Sequence, residues 1–302
     1  LTAFRLAHFS DPHLPSSWTP GTARDLMSKR ALSRLAWRRK HRQHDPAVLA
    51  ALTADIGAQG PDHIALTGDL TNFSTPEEFA RARAWLETLG AAEQVTVSPG
   101  NHDALVGRGL AERFAGLRPW FGDAEGEDFP YVRRRGPIAL INLSTAVPTP
   151  PALATGALGA AQLGRLAGAL EAAAQAGLIR VVMLHHPPAT GVVSRRKALD
   201  DAAALRTVLH ARGAELVLHG HAHEAVFGAI DGPRGPIPVL GAPSASCPGG
   251  RHAPAGWHAI DIEPGADGAR IRVTTRGLDP AGGTLRELGR YVLAPLSADI
   301  AA

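Results

Sequence analysis

The chain has 302 residues, 45% apolar and 20% charged, a balance that supports one large buried core and excludes a disordered polypeptide. A formal charge of only +3 gives no general affinity for nucleic acid or membrane. No run approaches the roughly 20 apolar residues of a membrane-spanning helix, and a single cysteine, Cys247, excludes an internal disulfide and fits a reducing compartment.

The first element is a strand, FRLAHFSD at 4–11, with no basic start, apolar run or small-residue cleavage site of a leader around it. The expectation is a cytoplasmic protein. Residues 15–45 form an unusual insertion in which Leu26, Met27, Leu32, Leu35 and Trp37 mix with Lys29, Arg30, Arg34, Arg38, Arg39, Lys40 and Arg42. Such a basic amphipathic helix suits an anionic membrane surface, a polyanionic substrate, or simple packing with a solvated basic face. A helix over 46–59 follows, with Asp45 as cap and Pro46 in its first position.

A strand at 63–70 leads to a helix at 76–89, opened by Thr75 and Glu78 at capping-box spacing. Strands at 95–103, 138–145, 181–188 and 216–223 alternate with helices at 160–176 and 201–212, stopped by Gly177 and Gly213. This alternation predicts an α/β sheet covered on both faces. After residue 223 the strands at 238–246, 257–262 and 270–276 have little helix between them, which predicts a second, more antiparallel sheet. With no repeat or long linker, residues 1–277 read as one domain and 278–302 as a peripheral segment.

Polar residues gather where the strands end. Asp11 and His13 stand two apart in SDPH; Asp69 follows Gly68; Gly100-Asn101-His102-Asp103, His185-His186 and Gly220-His221-Ala222-His223 close three later strands. Strand ends of an open α/β sheet converge on one crevice, so these separated segments can meet. Imidazole, carboxylate and amide oxygen without thiolate suit a pair of divalent ions such as manganese, iron or zinc. A pair at about 3.5–4 Å needs a bridging carboxylate, and Asp69, the lone acid of its motif, is the best candidate. Alternation lets only one of His185 and His186 point into the site. Asn72, in GDLTN, fits either a substrate contact or a turn or cap. His41, His44, His63, His210 and His258 read as structural, and His219 as packing beneath the site, donating to a backbone group or to a ligand.

The ordered set D-x-H, G-D, G-N-H-D, H and G-H-x-H, spanning residues 11–223, resembles the signature of the calcineurin-like metallophosphoesterases. The resemblance implies a four-layer α-β-β-α sandwich of two mixed sheets with a dinuclear metal site at the strand ends. It implies Asp11, His13 and His223 on a first metal, Asn101, His185 and His221 on a second, and Asp69 on both; it favours His185 over His186. It implies that His102 contacts the phosphoryl group and that Asp103 orients that imidazole. The implied reaction is phosphoester hydrolysis by a hydroxide held between the two metals.

Substrate is read from the loops. Arg195, Arg196 and Lys197 follow HHPP at the rim and suit an anionic substrate group, whereas Arg133–Arg135 before Gly136 look like a solvated hairpin turn. The HHPP block resembles the phosphodiesterase branch, so a phosphodiesterase is expected. The alternatives are a pyrophosphate hydrolase of a nucleotide-linked lipid such as UDP-diacylglucosamine, with 15–45 touching lipid or a membrane periphery; a nuclease, for which no aromatic stacking platform or continuous basic stripe is present; and a non-catalytic metal-binding regulator.

Overall fold

Alternating residues along the strands face two different apolar layers, and this decides the architecture. A computed structural model describes residues 3–16, 28–40, 43–123, 128–265, 268–279 and 283–293, with the side chains of 35–40 outside the description. In β1 (Phe4–Phe9) Leu6 faces one core while Ala7 and Phe9 face another. The same split recurs in β6 (Ile179–Met183), where Val181 and Met183 point one way and Val182 the other.

The shared inner core belongs to two six-stranded sheets packed face to face. The first runs β12-β11-β10-β1-β2-β3, with β2 (His63–Leu66), β3 (Val95–Val97), β10 (Gly256–Gly265), β11 (Gly268–Leu278) and β12 (Leu285–Leu293). The second runs β4-β5-β6-β7-β9-β8, with β4 (Tyr131–Arg135), β5 (Ile138–Asn142), β7 (Leu216–His219), β8 (Val226–Ile230) and β9 (Ile237–Gly241). Strands β1, β2 and β3 are mutually parallel, as are β5, β6, β7 and β9, and antiparallel strands flank both groups.

Helices cover the outer faces. α1 (Lys29–Lys40) lies in the insertion; α2 (Pro46–Ala58) and α3 (Pro76–Leu89) bury Leu49, Leu52, Ile56, Phe79, Ala82 and Leu86 on the first sheet. α4 (Leu110–Ala115) is short, and α5 (Gly159–Gln175) and α6 (Ala202–Arg212) bury Leu166, Leu170, Leu205 and Leu209 on the second sheet. The result is the expected α-β-β-α sandwich. Both expected helix starts are built from their caps: the Asp45 carboxylate accepts from Ala47 N at 2.8 Å, and Thr75 with Glu78 closes a capping box. Among the described residues no helix is long and apolar enough to cross a membrane.

Two expectations need correction. The strands after residue 223 do not make a sheet of their own: β8 and β9 extend the second sheet from β7, while β10, β11 and β12 extend the first from β1. Alternation in a sequence gives a strand its two faces but does not say which sheet edge it joins. Nor is 133–135 a solvated turn. It is the end of β4, leading into the turn at Gly136, and Arg133 is buried, its guanidinium donating to Ala92 O at 2.7 Å and Pro119 O at 2.8 Å. Residues 285–293 of the expected peripheral segment add the edge strand β12; 280–282 and 294–302 lie outside the described residues.

Of the insertion, 17–27 and 41–42 lie outside the described residues, and with them Leu26, Met27 and Arg42, together with the side chains of Leu35, Trp37, Arg38, Arg39 and Lys40. What is described is a clamp. Lys29 Nζ donates to Thr149 Oγ1 and Leu153 O at 2.6 and 2.8 Å, and Arg30 donates to Phe73 O and Ser74 O at 2.8 and 2.5 Å. The first turn of α1 therefore ties a loop after β2 to a loop after β5, across the end of the sandwich where the parallel strands finish.

Candidate metal centre

At that end the loop after β1 runs alongside the loop after β2: Asp11 N, His13 N and Leu14 N each donate to Gly68, Asp69 and Leu70 carbonyls at 3.0 Å. This lateral pairing brings the first two motifs together. Glycines allow the rest to close in. A Cβ on Gly68, which has φ +99°, would stand 2.6 Å from His185 Nδ1, and one on Gly220 would stand 2.6 Å from Asp11 Oδ2.

Two ligand clusters result. Asp11, His13 and His223 form one, Asp69, His185 and His221 the other, with the donor atoms of each within 4.8 Å of one another. Asp69 lies between them, its Oδ2 3.4 Å from His185 Nε2 and 3.7 Å from His13 Nε2. Asn101 Oδ1 joins the second cluster, 3.2 Å from His185 Nε2. All seven expected ligands thus face one space.

Most of the rings are held from behind, which fixes the nitrogen they offer. His13 Nδ1 meets Asn72 Oδ1 at 3.1 Å, His185 Nδ1 meets Thr67 O at 2.6 Å, and His221 Nε2 meets Lys197 O at 3.0 Å. The opposite nitrogens of His13 and His221, Nε2 and Nδ1, then present lone pairs inward, as does His185 Nε2 once it gives up its proton. His13 Nε2 is buried without a hydrogen bond, and His185 Nε2, His221 Nδ1 and Asn101 Oδ1 meet across 3.2 Å contacts. Electron-rich atoms converging in this way, with two buried carboxylates, fit divalent cations.

The electrostatics agree. Burial would push the Asp11 carboxyl up, but the neighbouring His223 and His185 rings hold it well below the usual carboxylate range. For Asp69 the same burial is outweighed by His185, His102 and His13. Burial lowers His185, yet Asp69 and Asp11 overcome it and carry the ring up to about 9, whereas burial leaves His13 at about 3. The pair of carboxylates makes the pocket cation-seeking.

His186, the neighbour in doubt, points elsewhere: its Nδ1 pairs with Thr145 Oγ1 at 2.7 Å and its Nε2 with Ala154 O at 3.2 Å. His219 is buried with Nδ1 against Gly220 O at 2.9 Å. His102 stands at the opening, its ring edge-on to His13 with centroids 5.0 Å apart.

Asp103 does not orient His102. The His102 Nδ1 meets Asn72 O at 3.0 Å, while the Asp103 carboxylate accepts from Thr71 N at 2.9 Å, Thr71 Oγ1 at 3.0 Å and Gly100 N at 2.8 Å. These donors, with Leu70 N at 3.4 Å, come from two motif loops and draw it away, so it welds the G-D loop to the G-N-H-D loop. Burial and nearby Asp69 push its carboxyl up to about 6.

Asn72 is turned from any substrate: its Oδ1 holds His13 and its Nδ2 donates to Leu14 O at 2.7 Å. Asn72→Ala is expected to weaken metal binding about 10- to 100-fold while leaving the fold intact, checked by competition with a chromogenic chelator. Of 195–197, the structure brings the Lys197 carbonyl to His221 and leaves all three side chains exposed.

Sequence reasoning missed His44 and His252. The His44 ring lies 4.2 Å from His13 and 6.0 Å from His223, and His252 lies 5.7 Å from His223. Neither belongs to a motif, and only the fold brings them to the opening. Ser244 was also missed; its Oγ donates to Asp11 O at 2.7 Å.

Residues 4–225, which contain every expected ligand, match the calcineurin-like phosphoesterase family model. A probable cyclic nucleotide phosphodiesterase of Synechococcus sp. is 31% identical over 219 residues, 71% of this chain and 77% of that protein. A cAMP/cGMP dual specificity phosphodiesterase of Mycobacterium tuberculosis is 34% identical over 194 residues, 62% of this chain and 55% of that protein. In fold the chain resembles a dimetal phosphatase from Danio rerio, with TM-score 0.59 and 12% identity over 97% of this chain and 99% of that one. It also resembles a purple acid phosphatase from yellow lupin, with TM-score 0.60 and 11% identity over 97% of this chain and 54% of the other. A family match that spans the sandwich from β1 past the last ligand, over two clusters with the donors to hold divalent ions, makes this chain a member of the calcineurin-like phosphoesterase family.

Proposed function

We propose that the chain is a dinuclear phosphodiesterase acting on a small phosphodiester, with cyclic nucleotides as the first class to examine. The observation that carries this reading is Asp69 set between two ligand clusters, with His102 at the same opening. The resemblance to two cyclic nucleotide phosphodiesterases supports the diester over the monoester.

When bound, two divalent ions supply an ionised water and neutralise charge on the phosphoryl oxygens. The rest falls to side chains. Asp11, His13 and His223 would hold one ion, Asn101, His185 and His221 the other, and Asp69 both. His102 has Nδ1–H committed to the Asn72 carbonyl, so Nε2 faces the opening; doubly protonated, the ring can donate to a phosphoryl oxygen and pass that proton to the leaving alkoxide. The exposed side chains of Arg195, Arg196 and Lys197 are placed to meet an anionic part of the substrate beyond the scissile group. A buried, unpaired Cys247 supports a reducing, cytoplasmic location.

The second reading is a pyrophosphate hydrolase of a nucleotide-linked lipid such as UDP-diacylglucosamine, with the insertion that carries α1 as the lipid contact. A panel on Mn²⁺-reconstituted protein separates the two, comparing aryl monoesters, aryl diesters, cyclic nucleotides and UDP-diacylglucosamine. Preference for diesters and cyclic nucleotides is expected. Turnover confined to monoesters, or to the lipid-linked pyrophosphate, would overturn the first reading.

A further inference from the structure

His44 lies outside the five motifs and outside both ligand clusters, yet the fold carries it against His13 and His223 of the Asp11 cluster. Its position is built rather than accidental. The next residue caps α2 through its carboxylate, and the Asp45 N–H donates to Ser246 O at 2.7 Å. The His44 ring is pinned as well, with Nδ1 2.8 Å from Ser246 Oγ. The 244–246 segment is in turn tied to the metal loop: Ala245 N donates to Ser10 O at 2.8 Å, and Ser244 Oγ to Asp11 O at 2.7 Å. One short segment therefore registers His44 against the loop that bears Asp11 and His13.

Two imidazoles that are not ligands of either cluster now stand against His13: His102, at 5.0 Å, and His44, at 4.2 Å. A phosphoryl group at the opening has more than one non-bridging oxygen to be held, and a single imidazole serves one of them. We propose that His44 is a second phosphoryl-contacting residue, donating a hydrogen bond from Nε2 to an anionic oxygen of the bound phosphoester. The Ser246 hydroxyl can supply the matching half by donating to Nδ1, which puts the ring proton on Nε2 and makes a neutral imidazole the donor. A hydrogen bond to a charged oxygen is among the stronger kinds, so its loss is measurable.

The inference rests on the phosphoesterase reading of the same site but not on which ester is cleaved, so inorganic phosphate is the probe. Wild type, His44→Ala, His44→Gln and Ser246→Ala are loaded with Mn²⁺, and each is measured for bound metal, for phosphate affinity by calorimetry, and for kcat/KM on an aryl phosphodiester. The expected result for His44→Ala is full metal content with phosphate bound about 10-fold more weakly and kcat/KM lower by about 10- to 100-fold. His44→Gln, which keeps an N–H donor, recovers part of both, and Ser246→Ala lies between. Two results would overturn the proposal. One is phosphate affinity within about twofold of wild type in a fully loaded His44→Ala or, if that variant does not fold, an undiminished affinity in Ser246→Ala. The other is loss of metal in parallel with phosphate affinity, which would make His44 a support for His13. Failure of the diester preference in the substrate panel leaves the phosphate measurement standing, so the two readings fail separately.

Discussion

Asp69→Ala is expected to lower kcat/KM on any substrate by more than about 10³-fold, beyond the 10²–10³ typical of losing one transition-state donor. Bound metal should fall from two ions per chain to one or none. Among the described residues Asp69 is the single carboxylate within 4 Å of rings from both clusters, His13 and His185. Its Oδ1 also accepts from the His102 N–H at 2.8 Å, which sets the backbone of the residue that faces the opening. One substitution thus removes the shared ligand, the charge beside His185 and the anchor of His102. Metal analysis alongside steady-state kinetics checks the result; full occupancy by two ions with unimpaired turnover would remove Asp69 from its bridging role and the dinuclear reading with it.

Stripping the metal with a chelator should cost the fold as well as the activity. Asp11 and Asp69 are fully buried carboxylates, and His13 Nε2 has no hydrogen-bond partner, so cations bound between them stabilise the native state alone. At free metal 1,000-fold above Kd the gain is about 4 kcal/mol, or roughly 10 °C in Tm for a chain of this length. The effect has a pH signature. Metal requires His185 Nε2 without its proton, and in the chelated protein that ring titrates near 9 rather than the ordinary 6.5. A raised histidine stabilises the chelated fold below pH 6.5, and that contribution is lost as pH rises toward 9. The metal-dependent gain in Tm should therefore widen across the same interval, with protons released on metal uptake. Thermal melts with and without chelator at pH 6.5 and 9 check this; a gap that narrows with pH would contradict it.

How much of this could be read from the residues depends on the range of the interaction that fixed them. Caps and strand faces are local: Asp45-Pro46, the Thr75–Glu78 box and the two-residue alternation placed α2, α3 and the buried strands within a few residues of where they lie. The motifs were legible because each cluster is made from strand-end residues whose types carry the chemistry. Partners were not. Asp103 is adjacent in sequence to His102, but its oxygens face donors of its own loop and of the loop after β2, a matter of where two loops pack. Asn72 and His44 likewise gain their roles only through contacts 59 residues away at His13 and 202 residues away at Ser246. The two antiparallel flanks went to separate sheets for the same reason. Substrate choice lies in the loops, the part of the chain least constrained by period or cap.

Five of the seven proposed ligands, Asp11, His13, Asp69, His221 and His223, sit at positive φ, between 43° and 65°. For residues other than glycine and asparagine this left-handed conformation costs on the order of 1 kcal/mol each. The backbone at these positions would rest more easily with glycine or asparagine, neither of which restores the lost carboxylate or imidazole. Selection for durability and selection for turnover therefore pull these five positions in opposite directions. A lineage released from catalysis should lose its ligands here first, by drift toward asparagine and glycine, while the sandwich beneath them persists and grows harder to melt.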